Sequence, residues 1–461
     1  MARAKKEAAL TPEERLQAAL VPDWEWPYKL PENWCWTRIT VITDILNGFA
    51  FKSQHYSSAG IRIIRITNVQ DGFIQDKKPV YYPLESQKEI TPFMLKDGDF
   101  LMSLTGNVGR VAIIDASFLP AALNQRVACL RIKSEDSARK EYIFYFCLQK
   151  QFVSDCIKSA KGSAQLNMST EWLKEYPIPL PPLAEQQRIV DRIESLFAKL
   201  DEAKEKAQAV VDSFETRKAA ILHKAFTGEL TAKWRRTHGL LLDTWKEVAA
   251  DSLFEYVTSG SRGWAKYYDE SGAVFIRMGN LDHGTIELDF SDIQHVKLPN
   301  KAEGQRSRIR KNDILISITA DVGMVGLVRN DDFEGYINQH IALARPVMSE
   351  SAEFIAWYLV SDIGLKQMQE KQRGATKVGL SLNDIRALQL KIPLIEEQNE
   401  ILKVIKMWIG KEQQSQEAAE AVLDQIDLMK KSILARAFRG ELGTNDPSEE
   451  SAVELLKRTI L

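Results

Sequence analysis

The chain has 461 residues, 44% of them hydrophobic and 27% charged, which is material for more than one packed core and by length alone for about three domains. No run of about 18 apolar residues occurs, so nothing should span a membrane, and the basic start Met1-Ala2-Arg3-Ala4-Lys5-Lys6 lacks the apolar stretch of a signal peptide, so the cytoplasm is the expected location. A net charge of −2 excludes a uniformly basic nucleic-acid coat, so any DNA must meet a local basic face.

Residues 1–29 form an N-terminal extension. Thr11 caps a short helix with Pro12 at its first position and Glu13 and Glu14 in the first turn. Val21-Pro22-Asp23-Trp24-Glu25-Trp26-Pro27 is expected to be extended. Two roles stay open for this segment, a docking arm and a disordered tail.

Residues 30–182 have a mixed pattern. Ile61 to Ile66 and Asp99 to Leu104 have the character of short strands, Lys140 to about Ser159 that of a helix, and Gly106 and Gly109 mark a loop leaving a strand. Residues 183–230 follow as a long helix without glycine or proline before Thr227, with apolar residues at Ile189, Ile193, Leu196, Leu200, Ala203, Ala207, Val210, Phe214 and Ile221. This is the spacing of a coiled-coil seam, and a helix of that length spans roughly 60 Å. By itself such a helix is a spacer or a dimer seam.

The plan then repeats over residues 242–394 and 395–442. Glu185 answers to Glu397 (397 − 185 = 212), and Arg65, Asn68, Gly162, Ser169 and Phe226 find Arg277, Asn280, Gly374, Ser381 and Phe438 at the same offset. Asp99, Thr105, Val108, Gly109 and the pair Asn124-Gln125 find Asp313, Thr319, Val322, Gly323 and Asn338-Gln339 at 214 (313 − 99 = 214). The second seam uses Ile401, Ile405, Trp408, Ala419, Val422, Ile426 and Ile433, with Glu412 and Ser415 in place of Leu200 and Ala203 and Gly410 just before them, so it should be locally weaker. Between landmarks the copies differ: Lys52-Ser53-Gln54-His55 answers to Trp264-Ala265-Lys266-Tyr267, and Gly106-Asn107 to Ala320-Asp321. Neutral drift and two different binding surfaces on one frame both account for this. Residues 443–461 are a C-terminal tail whose amphipathic stretch from Ala452 could pack beside the N-terminal helix.

Catalytic patterns are missing. There is no GxxxxGK[ST] loop, no GxGxxG after a strand, no HExxH and no amino-methyltransferase motif, and Lys96-Asp97-Gly98-Asp99 suits a turn better than an acid-base pair. Cys35, Cys129, Cys147 and Cys156 show no metal-ligand spacing and are expected as buried reduced thiols. No metal and no catalytic or cofactor-binding residue is expected.

The domain opening Leu30-Pro31-Glu32-Asn33-Trp34, loosely repeated at Leu242-Asp243-Thr244-Trp245, resembles the specificity subunits of type I restriction-modification enzymes. So do the helix entry Ile178 to Ile189, its copy at Ile392 to Gln398, and the helix ends Ala225-Phe226-Thr227-Gly228-Glu229-Leu230 and Ala437-Phe438-Arg439-Gly440-Glu441-Leu442. The resemblance runs from about Leu30 to Leu442. It implies an α+β chain of two mixed α/β target recognition domains joined by two long helices in an antiparallel coiled coil. It further implies a non-catalytic subunit that reads a bipartite asymmetric site in double-stranded DNA, one half per domain, with the helices setting the unread spacer. Two modification subunits would bring S-adenosylmethionine, and two motor-nuclease subunits would bring ATP and magnesium. The departure is Lys391-Ile392-Pro393-Leu394-Ile395, with one proline where the first copy has three, so the second junction should be looser. The alternative is a coiled-coil protein-interaction scaffold without DNA binding.

For base edges and phosphates the useful side chains are Arg, Lys, Asn, Gln, Ser and Thr. Candidates in the first domain are Lys52, Arg62, Arg65, Ser103, Thr105, Asn107, Arg110, Gln125 and Arg126; in the second they are Arg262, Lys266, Arg277, Asn280, Arg306, Arg308, Thr319 and Gln339. The loops Thr105 to Arg110 and Thr319 to Gly323 are favoured.

Overall fold

The computed structural model describes residues 11–162, 165–298, 303–373 and 379–460, with only the backbone of 86, 87 and 303. Met1 to Lys6 and Gly374, used above, lie outside the described residues. The chain divides into two compact units, Met1–Glu205 with Leu423–Leu461, and Lys206–Val422.

In the first unit a four-stranded antiparallel sheet runs in the order Thr43–Asn47, Val127–Ile132, Phe100–Ser103, Val111–Ile113. Every residue of Phe100–Ser103 is buried because both sheet faces are covered. Strand side chains alternate in direction, so Phe100 and Met102 join one core with Tyr142 and Phe146, while Leu101 joins another with Ala112 and Cys129. A three-stranded sheet follows, Tyr81–Tyr82, Ile61–Ile64, Ala121–Leu123, the last two parallel. Cys35–Arg38 pairs with Pro177–Leu180 and ties the domain's beginning to its end.

The second unit repeats the frame. Its main sheet is Phe254–Ser259, Ile341–Pro346, Ile314–Ser317, Val325–Leu327, and Lys246–Ala249 closes on Gln389–Ile392. Ile314 and Ile316 enter one core and Leu315 the other. The smaller sheet has four strands, Tyr268–Asp269, Gln294–Val296, Ala273–Ile276 and Gly335–Ile337.

Each unit packs its domain against the start of the helix that follows it and the end of the other long helix. In the first, Ile189 and Ile193 share a core with Leu434 and Phe438, and Phe438 lies 5.1 Å from Tyr142 between ring centroids. In the second, Ile401 and Ile405 share a core with Leu222 and Phe226, and Phe226 lies 5.3 Å from Phe354. The pairing is antiparallel in the first unit, where Asp201 meets Lys430 at 2.5 Å and Lys204 meets Asp427 at 3.8 Å. In the second, Arg217 meets Glu412 at 2.5 Å, which gives the polar seam residue a partner. The helix Ile395–Ala437 passes Gly410 without interruption.

Several expectations need correction. The first long helix keeps its course from Leu183 to Phe226 but is distorted at Ser213, between Leu183–Asp212 and Phe214–Phe226, where Ser213 N still reaches Ala209 O at 3.2 Å and Arg217 N reaches Ser213 O at 3.0 Å. Ser213 turns its hydroxyl back onto the Ala209 carbonyl at 2.5 Å, competing with the helical hydrogen bond. Trp408 and Val422 are 43% and 44% exposed; the buried stripe in this region runs through Ile401, Leu402 and Ile405 instead, with the half-buried Ile409 packed against it. The helix expected over Lys140 to Ser159 is two, Lys140–Cys147 and Lys150–Ser159, separated at Gln149 by extended backbone that lets Phe146 and Phe152 meet at 5.6 Å. Asp23–Glu25 forms a short turn of helix within the segment expected to be extended. Ala232–Thr237, between the first long helix and the second domain, is an additional short helix.

Thr11 and Glu14 form a reciprocal capping pair on Pro12–Ala19. Leu16 and Leu20 from this end pack in one core with Leu455 and Leu456 of Ala452–Ile460. All four cysteines are buried and unpaired. The second helix entry closes like the first despite its missing prolines: the Gln398 amide donates to Pro393 O at 3.0 Å, as Gln186 does to Pro181 O at 3.1 Å.

Candidate nucleic-acid interface

In each domain three residues connect the smaller sheet to the main one: Asn124-Gln125-Arg126 between Ala121–Leu123 and Val127–Ile132, and Asn338-Gln339-His340 between Gly335–Ile337 and Ile341–Pro346. The Asn124 side chain accepts from Arg126 N at 3.3 Å, and Asn338 from His340 N at 3.0 Å, the self-bonded turn asparagine favours. A glycine makes room on one side of each turn. A Cβ on Gly48 would lie 2.2 Å from Asn124 O, and one on Gly260 would lie 2.2 Å from Asn338 O.

Other loops converge on these turns. In the first domain Leu104 N donates to Arg126 O at 3.0 Å, Gln125 N to Phe49 O at 2.9 Å and Gly106 N to Leu166 O at 2.9 Å. Thr105 Oγ1 donates to Asn167 Oδ1 at 3.0 Å. In the second, Ile318 N donates to His340 O at 2.9 Å, and Ser261 and Thr319 bridge to Asn338 and Gly379. These contacts bring Thr105, Gln125 and Arg126 together in the first domain and Thr319, Gln339 and His340 in the second; Lys52, Asn107 and Arg262 lie a few residues along the same converging loops, and Lys266 farther along its own.

These faces are basic although the chain is not. Residues 47–57, 104–110, 124–126 and 165–168 contain Lys52, Arg110 and Arg126 and no carboxylate, with Arg110 turned away to Asp71 at 3.5 Å so that Lys52 and Arg126 carry the face's charge. Residues 259–267, 318–323 and 338–340 contain Arg262 and Lys266 against one carboxylate, Asp321, which is bonded to His283 at 2.8 Å. The side chains of Lys52, Asn107, Gln125, Arg126 and Arg262 are exposed.

The remaining candidates fall elsewhere or are engaged within the fold. Ser103 is 1% exposed; its hydroxyl donates to Asn107 O and accepts from Arg110 N, as Ser317 accepts from Met324 N. Asn280 is buried, accepting from Arg277 N at 2.8 Å and donating to Asp289 O and Asp292 O, just as Asn68 clamps Arg65 and Gln75. Arg62 pairs with Asp76 and lies between the rings of Tyr81 and Phe118. Arg65 donates to Lys78 O at 2.9 Å, Arg110 to Gln70 Oε1 at 2.7 Å, and Arg277 to Asp292 at 3.0 Å. Arg306 and Arg308 are exposed on the segment before the Ile314–Ser317 strand, near Tyr256 and Tyr336. Asp99 and Asp313 are structural: each takes a two-pronged contact from the main sheet, Arg131 at 2.9 and 2.5 Å and Arg345 at 2.7 Å twice. Burial raises the Asp313 pKa while Arg345 pulls it down.

His340 is not among the residues expected from the sequence, although it stands at the 214 offset from Arg126, the signal that marks it. Its ring touches Thr319 Oγ1 at 2.6 Å through Nδ1 and the Gln339 amide at 2.7 Å through Nε2. Among the described residues no group of three or more His, Cys, Asp or Glu could hold a metal ion, and no helix is long and apolar enough to cross a membrane.

Comparison with known proteins matches both halves of this frame. Residues 31–211 and 243–420 each match the family described as the type I restriction modification DNA specificity domain. The specificity subunit of the type I restriction enzyme EcoBI of Escherichia coli is 28% identical over 428 residues, 88% of this chain and 86% of that protein. The StySPI specificity subunit of Salmonella potsdam is 24% identical over 426 residues, 90% of each. Two solved structures share the fold. One, described as the structural basis of complex assembly and conformational transition of the type I R-M system, has a TM-score of 0.66 at 18% identity and covers 90% of this chain and all of its own. The HsdS subunit from Thermoanaerobacter tengcongensis has a TM-score of 0.59 at 19% identity, covering 91% of this chain and all of its own. With two specificity domains, each carrying a basic face on one repeated frame, this chain belongs to the type I restriction-modification family as a DNA specificity subunit.

Proposed function

We propose that each domain reads one half of a bipartite, asymmetric site in double-stranded DNA through its convergent loop face, and that the chain itself is non-catalytic. The observation that carries this is the pair of turns Asn124-Gln125-Arg126 and Asn338-Gln339-His340, one backbone frame presenting different side chains beside basic loops. Phosphate contacts from Lys52, Arg262 and Lys266 position the domain, and the amide and guanidinium side chains on the turns address base edges. Two modification subunits and two motor-nuclease subunits complete the assembly in the cytoplasm, and S-adenosylmethionine, ATP and magnesium belong to those partners.

Fluorescence titration of the chain with its modification partner against duplexes of varied sequence tests this. The expected result is one preferred bipartite site, with affinity falling as salt rises by a slope of about −0.9 per phosphate neutralised. Equal affinity for all sequences at physiological salt would refute sequence reading. Affinity without salt dependence would refute the phosphate contacts.

A further inference from the structure

The two turns differ at one residue, and that residue changes what its neighbour can do. In the first domain Gln125 and Arg126 are both exposed, and neither side chain forms a hydrogen bond or ion pair within the described residues. In the second, the His340 ring is held at both nitrogens, by Thr319 at 2.6 Å and by the Gln339 amide at 2.7 Å. The backbone at Thr319 is held on both sides: Thr319 bridges to Gly379, and its neighbour Ile318 donates to His340 O at 2.9 Å and accepts from Leu380 N at 2.8 Å. A chain of contacts from the main sheet thus reaches Gln339 through the imidazole. Among the described residues no such chain reaches Gln125; Thr105, the counterpart of Thr319, spends its hydroxyl on Asn167.

The geometry points to a division of labour in which the third residue of each turn sets how its half-site is read, an inference that rests on the DNA reading proposed above. Arg126 contacts a base directly. Its free guanidinium fork offers two parallel donors, which match the O6 and N7 acceptors of guanine in the major groove. His340 is a positioning residue: it holds Gln339 in one rotamer, and the remaining edge of that amide, one donor and one acceptor, matches N6 and N7 of adenine. Fixing the rotamer before contact lowers the entropy lost when the pair forms. The first domain therefore reads a G·C pair through a flexible cation, and the second an A·T pair through an amide locked by the fold.

Selection from a duplex library by the chain assembled with its modification partner tests this. Wild type should enrich a bipartite site; if it enriches none, the proposed function fails before any variant is considered. Given that site, Arg126→Ala should abolish a guanine preference at one base pair of one half, lowering cognate affinity roughly ten- to a hundredfold and leaving the other half intact. Arg126→Lys, which keeps the charge without the fork, should relax the same position. Gln339→Ala and His340→Ala should both relax one adenine in the other half. Thr319→Ser should keep that preference, and Thr319→Val should weaken it. A uniform loss of affinity for every sequence in Arg126→Ala, with a salt slope smaller by about one, would make Arg126 a phosphate contact and overturn the first assignment. Relaxation by His340→Ala without relaxation by Gln339→Ala would make histidine the reader and overturn the second. Circular dichroism of each variant checks folding; should His340→Ala unfold the domain, His340→Gln takes its place with the same expected and overturning results.

Discussion

Glu185 and Glu397 hold the same place at the head of a long helix, each with no exposed surface and each accepting an indole N–H, from Trp34 at 2.8 Å and Trp245 at 3.0 Å. Their other partners differ in charge. Glu397 meets the Arg235 guanidinium at 2.5 Å and the Thr231 hydroxyl at 2.7 Å, and Arg235 is itself only 6% exposed. Glu185 is held by neutral donors, the Asn445 amide at 2.8 Å and the Thr444 hydroxyl at 3.3 Å. In both units the donors come from the chain just after the other long helix, so the same closure is made once with an ion pair and once without. Removing one member of a buried pair leaves the other charge uncompensated in the interior, whereas a carboxyl among neutral donors can take up a proton. Burial raises the Glu185 pKa in this way.

The largest expected effect separates the two closures. Glu397→Gln strands a buried guanidinium and should destabilise the second unit by about 3–5 kcal/mol, whereas Glu185→Gln should change the first by less than about 1 kcal/mol at neutral pH. Chemical unfolding with a probe in each unit checks this; equal losses would mean that the charge of Arg235 is immaterial. The same contrast has a pH signature. With its folded pKa above the unfolded value, Glu185 contributes stability that is present below the ordinary glutamate range and is lost as pH rises through the raised folded pKa. Glu185→Gln should therefore flatten the stability curve of the first unit over that window, and an unchanged slope would remove Glu185 as its source.

Next in size are the turn glycines. Gly48→Ala and Gly260→Ala each push a methyl group into backbone, the Asn124 or Asn338 carbonyl, which cannot yield as a side-chain end can. Each should cost about 1–3 kcal/mol and weaken the half-site of its own domain alone. Loss at both half-sites from one substitution, seen by methylation protection of each half, would contradict independent domains.

The smallest effect belongs to the exposed ion pair between the long helices in the first unit, Asp201 with Lys430. A double-mutant cycle should return about 0.2–1 kcal/mol, shrinking with salt. A coupling above that range would show a contact better shielded from solvent than its exposure indicates.

Much of the fold was legible in local chemistry. The offsets 212 and 214 mark residues that repeat because they do the same internal work: Asn68 and Asn280 clamp a turn, Asp99 and Asp313 anchor an arginine, and Phe226 and Phe438 fill a core. For the same reason some landmark residues offer nothing to a ligand. Ser103 and Asn280 looked suited to DNA by type and spacing, but their polar atoms are spent inside the loops they shape. The helix distortion at Ser213 was illegible because it depends on which carbonyl a hydroxyl reaches, and the exposure of Trp408 because it depends on which side of the helix its neighbours cover.

The sequence by itself determined the duplicated plan, the two long helices and the family, because periodicity and landmark order are properties of the chain that survive without a partner in view. Only the tertiary structure decided which residues share a face. The turn at Asn124 and the loops at Phe49 and Thr105 are far apart in sequence and meet only in the folded domain, where Gln125 N donates to Phe49 O and Leu104 N to Arg126 O. The same holds for the second domain, where His340 acquires a role only because folding sets Thr319 and Gln339 on either side of its ring.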